Sequence, residues 1–196
     1  MSEDERCLNF ALAGNPNVGK SAIFNALTGM NQHTGNWPGK TVELAEGELE
    51  FQGWKIQVID LPGTYSLAAH SPEEVIARDY ILSDRPDAII NVVDATNLER
   101  NLNLTIQILE MTDRVVVALN LVDEAQRLGI ETDVQKLSEE LGVPVVPTVA
   151  VRDEGLDDLV SAAISVATGE IETSPVQVDY GRVIESAITL LERMLQ

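Results

Sequence analysis

Apolar residues along this chain fall into short solid runs separated by stretches where they recur every three or four positions. Leu8 to Ala13 is such a run, and Ala22, Ile23, Ala26 and Leu27 follow at helical spacing. Val42 to Phe51 alternates, with a break at Gly47, and Gln52-Gly53 turns it back into Lys55 to Leu61, which predicts a hairpin. Ser71-Pro72-Glu73-Glu74 restarts a helix that runs to about Ser83, with Ser71 as N-cap, Pro72 at the first helical position and Glu74 closing a capping box. Asp87 to Asp94 and Val115 to Leu121 read as buried strands, Leu98 to Met111 and Val134 to Leu141 as helices, and Val143 to Val146 as the last strand. Leu156, Leu159, Val160, Ala163, Ile164 and Ala167 share one helical face, which Gly169 ends. Residues 30–41 show neither period and read as a long loop, of the kind that carries function.

Six strands alternating with helices predict an α/β domain: a mostly parallel six-stranded sheet, one early antiparallel hairpin, and helices on both faces. The body spans 1–170. Glu170 to Pro175 reads as a linker within 171–196, and Ile184, Ala187, Ile188, Leu191, Met194 and Leu195 form one more amphipathic face. That helix either packs on the body or opens a helical domain truncated here.

Between the first strand and the first helix lies Gly14-Asn15-Pro16-Asn17-Val18-Gly19-Lys20-Ser21, a G-x-x-x-x-G-K-S sequence in the strand–turn–helix context that gives the pattern meaning. Glycines let successive backbone N–H groups converge on one phosphate chain. Lys20 is placed to reach the β- and γ-phosphates, and the Ser21 hydroxyl to hold Mg2+ at the helix N-terminus.

Ligands of open α/β sheets bind beyond the carboxyl ends of strands. Asp60-Leu61-Pro62-Gly63 and Asn120-Leu121-Val122-Asp123 both fall there. Asp60 is placed to hold Mg2+ through water and the Gly63 N–H to meet a γ-phosphate, while Thr41 supplies a second hydroxyl to the metal. Two loops tethered only through that phosphate and metal come free when the phosphate leaves, which is a hydrolysis-driven switch. The Asp123 carboxylate can accept from guanine N1–H and N2–H2, whereas adenine offers an acceptor and a bare carbon, so GTP is expected over ATP. Asn91-Val92-Val93-Asp94 matches the same N-x-x-D pattern; order along the sheet favours Asn120 and Asp123, with Asn91 buried and Asp94 capping the next turn. Thr64 follows Gly63, so no glutamine or histidine stands there to orient water; His33 and His70 read as solvated loop residues, and slow intrinsic turnover is expected.

Composition narrows the partners. With 13 basic and 32 acidic residues among 196, the formal charge is −19, which opposes nucleic acid and anionic lipid. One cysteine, Cys7, excludes an internal disulfide; it opens an apolar strand and is expected to be a small buried thiol. No apolar run approaches a membrane span, so the fragment is expected to be soluble.

The phosphate loop, Gly35-Asn-Trp-Pro-Gly-Lys-Thr-Val-Glu43, Asp60-Leu-Pro-Gly-Thr-Tyr-Ser-Leu67 and Asn91-Val-Val-Asp-Ala-Thr-Asn-Leu-Glu-Arg-Asn-Leu102 together resemble the N-terminal G domain of the prokaryotic ferrous iron transporter family, FeoB. The likeness covers residues 7 to about 190. It implies a Ras-like P-loop GTPase module on the cytoplasmic face of the cell membrane, followed by a helical spacer and a same-chain permease domain for Fe2+. Nucleotide binding then falls to Asn15, Pro16, Asn17, Val18, Gly19, Lys20, Ser21, Ala22, Asp60, Gly63, Asn120 and Asp123, with Thr148, Val149 and Ala150 around the base. Catalysis falls to Lys20, Thr41, Gly63 and Asn17, the last resembling an asparagine that helps hold K+ in potassium-stimulated members.

The chain departs from the general pattern in three places. Leu121 stands where most GTPases place a lysine, so base binding weakened by about 1–3 kcal/mol, to roughly micromolar, is expected. Thr148-Val149-Ala150 replaces a Ser-Ala pair, with the Ala150 N–H expected to meet guanine O6. Lys40 replaces an apolar residue before Thr41 and is expected to be solvated. No iron site is expected, since Cys7, His33 and His70 share no ligand spacing and Glu43 and Glu46 face opposite ways on a strand. A soluble ribosome- or tRNA-associated GTPase is the alternative reading, which the acidic charge opposes. A third is a nucleotide-dependent binding module without useful hydrolysis. The sequence is neutral on homo-oligomerisation.

Overall fold

A computed structural model describes residues 6–29, 32–36, 43–179 and 181, with 32–36 and 43 described by their backbone. Its centre is strand β1 (Arg6–Gly14), whose last five residues are all buried. Phe10 and Leu12 point into one core and Ala11 and Ala13 into the other, as the two-residue period of a strand covered on both sides requires. Helix α1 (Lys20–Thr28) follows directly, and strands β2 (Gln32–Asn36), β3 (Glu43–Phe51) and β4 (Trp54–Asp60) come next.

Seven strands form one sheet in the order β2-β3-β4-β1-β5-β6-β7 once β5 (Ala88–Asp94), β6 (Val115–Asn120) and β7 (Val145–Thr148) are added. From β4 to β7 the pairings are parallel; β2–β3 and β3–β4 are antiparallel. The six expected strands are present. The seventh, β2, lies inside the stretch read as a loop, because Gln32–Asn36 joins the sheet through backbone pairing along β3 and carries no apolar alternation to announce it.

Helices α2 (Pro72–Asp79), α3 (Leu98–Leu109) and α5 (Val134–Leu141) cover one face, and α1 with α6 (Leu156–Ala167) the other. A six-residue helix, α4 (Val122–Arg127), was not expected from the pattern, being too short to show a period. The helix begun at Pro72 continues through a π-helical turn over Tyr80–Asp84, which accounts for its expected end near Ser83. Gly47 breaks the alternation of β3 because Thr28 of α1 lies against it: a Cβ there would sit 2.5 Å from Thr28 Cγ2.

Two local expectations are corrected. The last strand lies two residues later than Val143 to Val146: its pairing with β6 runs from Val145 to Thr148 and includes Pro147, which an edge strand tolerates because no ladder partner needs its N–H. Cys7 is exposed: the apolar cluster on its side of β1 takes in Ala11 and Ala13 and stops short of it.

Beyond α6 the chain returns along the body. The Thr173 hydroxyl donates to the Asp113 carbonyl at 2.6 Å, Ser174 N–H to Gly142 O at 2.9 Å and Val176 N–H to Leu141 O at 3.0 Å. The amphipathic stretch at 184–195 lies outside the described residues. None of the described helices is long and apolar enough to cross a membrane.

Candidate functional site: a phosphate loop beside a base-reading strand end

The turn from β1 into α1 bends through two left-handed residues, Asn17 (φ 67°) and Gly19 (φ 85°). With Asn15, Pro16, Lys20, Ser21, Ala22 and Gly63 they line a cavity of about 390 Å³ at the carboxyl end of the sheet. Val18, expected among the binding residues, turns its side chain into the core at 3% exposure and offers only its backbone to this side. Gly19 has no alternative: besides its φ, a Cβ would stand 2.2 Å from Asn120 Nδ2. Gly19→Ala is therefore expected to destabilise the fold by about 1–3 kcal/mol and to weaken nucleotide binding with it, read by urea unfolding and by calorimetry with GDP. A variant of wild-type stability and affinity would show that the loop needs neither the left-handed turn nor the close approach.

Lys20 is 8% exposed, and its ammonium pairs with the Asp60 carboxylate. The Ser21 hydroxyl donates to the other Asp60 oxygen at 3.4 Å. One hydroxyl and one carboxylate, both hard oxygen donors, thus converge beside the phosphate cradle, and that donor set suits Mg2+. Leu61 N–H donates to Leu12 O at 3.0 Å and Thr64 N–H to Gly14 O at 3.2 Å, which seats Gly63 against the Asn15–Pro16 backbone. Thr41 and Lys40 lie outside the described residues, as does the His33 side chain.

The segment after Gly63 is tied down by Glu74, which accepts from His70 N–H at 2.8 Å and from the Ser66 hydroxyl at 2.9 Å. Ser71 caps α2 as expected, accepting from Glu74 N–H at 3.2 Å; the return bond from Glu74 goes one residue further back than a capping box places it. The bond from His70 N–H, followed by that from Ser66, holds the Glu74 carboxyl below the ordinary carboxylate range. Just past the end of α2, burial raises the Tyr80 phenol.

On the base side, Asn120 ends β6 at 1% exposure. Its Nδ2 donates to Val18 O at 2.9 Å, and its Oδ1 accepts from the Thr148 hydroxyl and from Ala150 N–H, each at 3.2 Å. Asn120 therefore links the phosphate loop to the loop after β7, and the Ala150 N–H, expected to meet a base, is engaged by Asn120. Val149 is buried, with its backbone bridged to Glu154. Asn91 sits elsewhere: it donates to Ala13 O at 3.5 Å and accepts from Thr105 at 2.6 Å, both inside the protein. Asp94 accepts from the N–H and the hydroxyl of Thr96, each at 2.7 Å, an Asx turn leading into α3. Leu121 takes the left-handed N-cap of α4 (φ 63°), which swings Asp123 back toward the loop after β7.

Three residues here had no signal in the pattern. Arg152 donates to Asp123 Oδ2 at 2.9 Å, and Arg127 reaches the same oxygen at 3.4 Å. The Arg100 guanidinium lies 4.4 Å from the centre of the Tyr65 ring, while its carbonyl accepts from Asn15 Nδ2 at 3.5 Å. The Asp123–Arg127 contact is an i,i+4 pair local to α4, whereas only the fold brings Arg152 to Asp123 and Arg100 to Tyr65 and Asn15.

A mostly parallel sheet with a G-x-x-x-x-G-K-S turn at its first strand end, an aspartate at the end of β4 and an N-x-x-D at the end of β6 defines a P-loop GTPase G domain. The family model described as ferrous iron transport protein B matches residues 8–163, and the chain belongs to that family. It is 56% identical over 167 residues to the Fe(2+) transporter FeoB of Methanocaldococcus jannaschii, covering 85% of this chain and 25% of that protein. It is 47% identical over 186 residues to an Fe(2+) transport protein A/Fe(2+) transporter FeoB fusion protein of Porphyromonas gingivalis, covering 94% and 22%. The chain thus spans about a quarter of the length of these relatives. Among solved structures, the cytosolic domain of the T. maritima FeoB iron transporter in a GDP form superposes with a TM-score of 0.90 at 43% identity, covering 97% of this chain and 75% of that one.

Proposed function

We propose that this chain binds GTP and hydrolyses it slowly, as the cytoplasmic G domain (1–170) of a ferrous iron transporter. Residues 171–196 lead toward a helical spacer, and the permease domain through which the cycle regulates or powers Fe2+ uptake lies further along the same polypeptide. The observation that carries this reading is the convergence of Lys20, Ser21 and Asp60 beneath a phosphate cradle that Asn120 joins to Asp123. The GDP form of the T. maritima relative supports it.

In this reading the backbone N–H groups of Asn15 and of residues 17–22 grip the phosphates, Pro16 having none to give, and Lys20 leaves Asp60 for the β- and γ-oxygens. Ser21, Thr41 and Asp60 would hold Mg2+, whose charge would offset that of the phosphates. Gly63 N–H points at the γ-phosphate. Water attacks that phosphorus in line, the bond to the β–γ bridging oxygen breaks, GDP leaves with the electron pair, and the water's protons pass to phosphate and solvent. Catalysis here is positioning and electrostatic stabilisation. Release of phosphate frees the loops that contain Thr41 and Gly63.

Asn17 stands exposed at the cavity rim in a left-handed turn, placed to help hold K+ beside the phosphates. GTP turnover in KCl is expected to exceed that in NaCl, and Asn17→Ala to remove the difference. Equal rates in both salts would end the potassium assignment, and no turnover of GTP in either would end the enzymatic one.

A further inference from the structure

We propose that Arg152 is a specificity-determining residue: it sets the plane of the Asp123 carboxylate so that both oxygens meet the purine edge. The inference rests on the reading of Asp123 as the guanine acceptor. Among the described residues the Asp123 carboxylate is met by two guanidinium groups. Arg152 meets it from the loop after β7, with Nη2 2.9 Å from Oδ2.

That loop is a rigid support. Val149 N–H donates to Glu154 O at 3.0 Å and Glu154 N–H to Val149 O at 3.3 Å, closing a ring around Arg152, whose own N–H donates to Val149 O at 2.9 Å. Asp153 turns through the left-handed region at φ 57°, and Gly155 lies so near Pro147 that a Cβ would fall 2.2 Å from its carbonyl oxygen. Arg127 adds a longer contact of 3.4 Å to the same Oδ2 from α4, and both arginines are more than half exposed. Arg152 takes one lone pair of Oδ2; the second purine donor takes the other by displacing the longer 3.4 Å contact from Arg127, and Oδ1 is open to the first donor.

A carboxylate with a fixed plane receives N1–H and N2–H2 together. A freely rotating one still satisfies a base with a single donor but seldom both donors at once. The inosine nucleotide, which lacks the 2-amino group, separates the two cases.

The test is calorimetric titration of the chain with GDP, IDP and ADP, for wild type, Arg152→Ala and Arg152→Lys. Arg152→Ala is expected to weaken GDP about 5-fold and IDP less than about 2-fold, so that the GDP:IDP preference narrows, with Arg152→Lys intermediate. Equal losses for GDP and IDP would overturn the proposal in favour of a scaffold role. Unchanged affinities would overturn it outright, and tighter GDP binding would show Arg152 to be a competitor of the base. Wild-type protein that holds ADP as tightly as GDP would instead sink the guanine reading itself, whatever the variants do.

Discussion

Lys20→Ala is expected to lower GTP turnover by about 10²–10³-fold and, in nucleotide-free protein, to cost about 2–4 kcal/mol of stability. Both effects follow from one ion pair. Lys20 and Asp60 side chains are 9% and 13% exposed, so truncating the lysine leaves a carboxylate in a poorly hydrated place with only the Ser21 hydroxyl, 3.4 Å away, as a partner. The two losses separate in the double variant Lys20→Ala/Asp60→Asn, which removes the orphaned charge. Its stability in urea is expected to recover while single-turnover hydrolysis stays low. Wild-type turnover in Lys20→Ala would remove the ammonium from the phosphate site, and unchanged stability would show the pair to be energetically idle.

Asp123→Asn is expected to reverse purine preference, with GDP binding weakened about 10³-fold and xanthosine diphosphate gaining over it. In the proposed reading the carboxylate accepts from guanine N1–H and N2–H2. An asparagine presents one donor and one acceptor, which match the O2 carbonyl and N1–H of xanthine and leave the guanine amino group facing an N–H. Calorimetry with GDP, XDP and ADP reads the outcome. Because Asn120 stays buried and bonded to Val18, Thr148 and Ala150, the substitution leaves the strand end in place; besides the base acceptor it removes only the exposed ion pairs with Arg152 and Arg127. A variant with the original purine order would show that Asp123 does not read the base.

Much of the molecule is legible along the chain for reasons visible in particular segments. β5 and β6 are buried on both faces and read as solid apolar runs; α6 shows its face every three or four residues. The glycine-lysine turn is local in the same sense, since the φ of Gly19 and the start of α1 depend on adjacent residues. β2 is hidden because its stability comes from hydrogen bonds to β3, and backbone groups are identical whatever the side chains. The exposure of Cys7 is hidden too: how far the covering layer reaches along β1 is set by elements distant in sequence and not by β1 itself.

The rival pair Asn91/Asp94 shows where pattern stops. The two strands are adjacent and parallel, but the tetrapeptides are out of register: Asn91–Asp94 lies within β5 and pairs with Val117–Asn120, whereas Asn120-Leu121-Val122-Asp123 starts on the last residue of β6 and runs on into α4. One asparagine meets Thr105 of α3 and the other meets Val18 and Ala150, because only β6 ends beside both the phosphate loop and the loop after β7.

Sequence alone therefore determined the alternating α/β order, the phosphate-binding turn, the acidic strand ends and the family resemblance, all of which rest on neighbours within a few residues. Tertiary structure alone decided that Lys20 rests on Asp60, that Arg152 reaches Asp123 from 29 positions away and that Asn15 touches the carbonyl of Arg100. Such contacts join residues far apart in the chain, and their partners are chosen by strand order and loop closure, which no local period records.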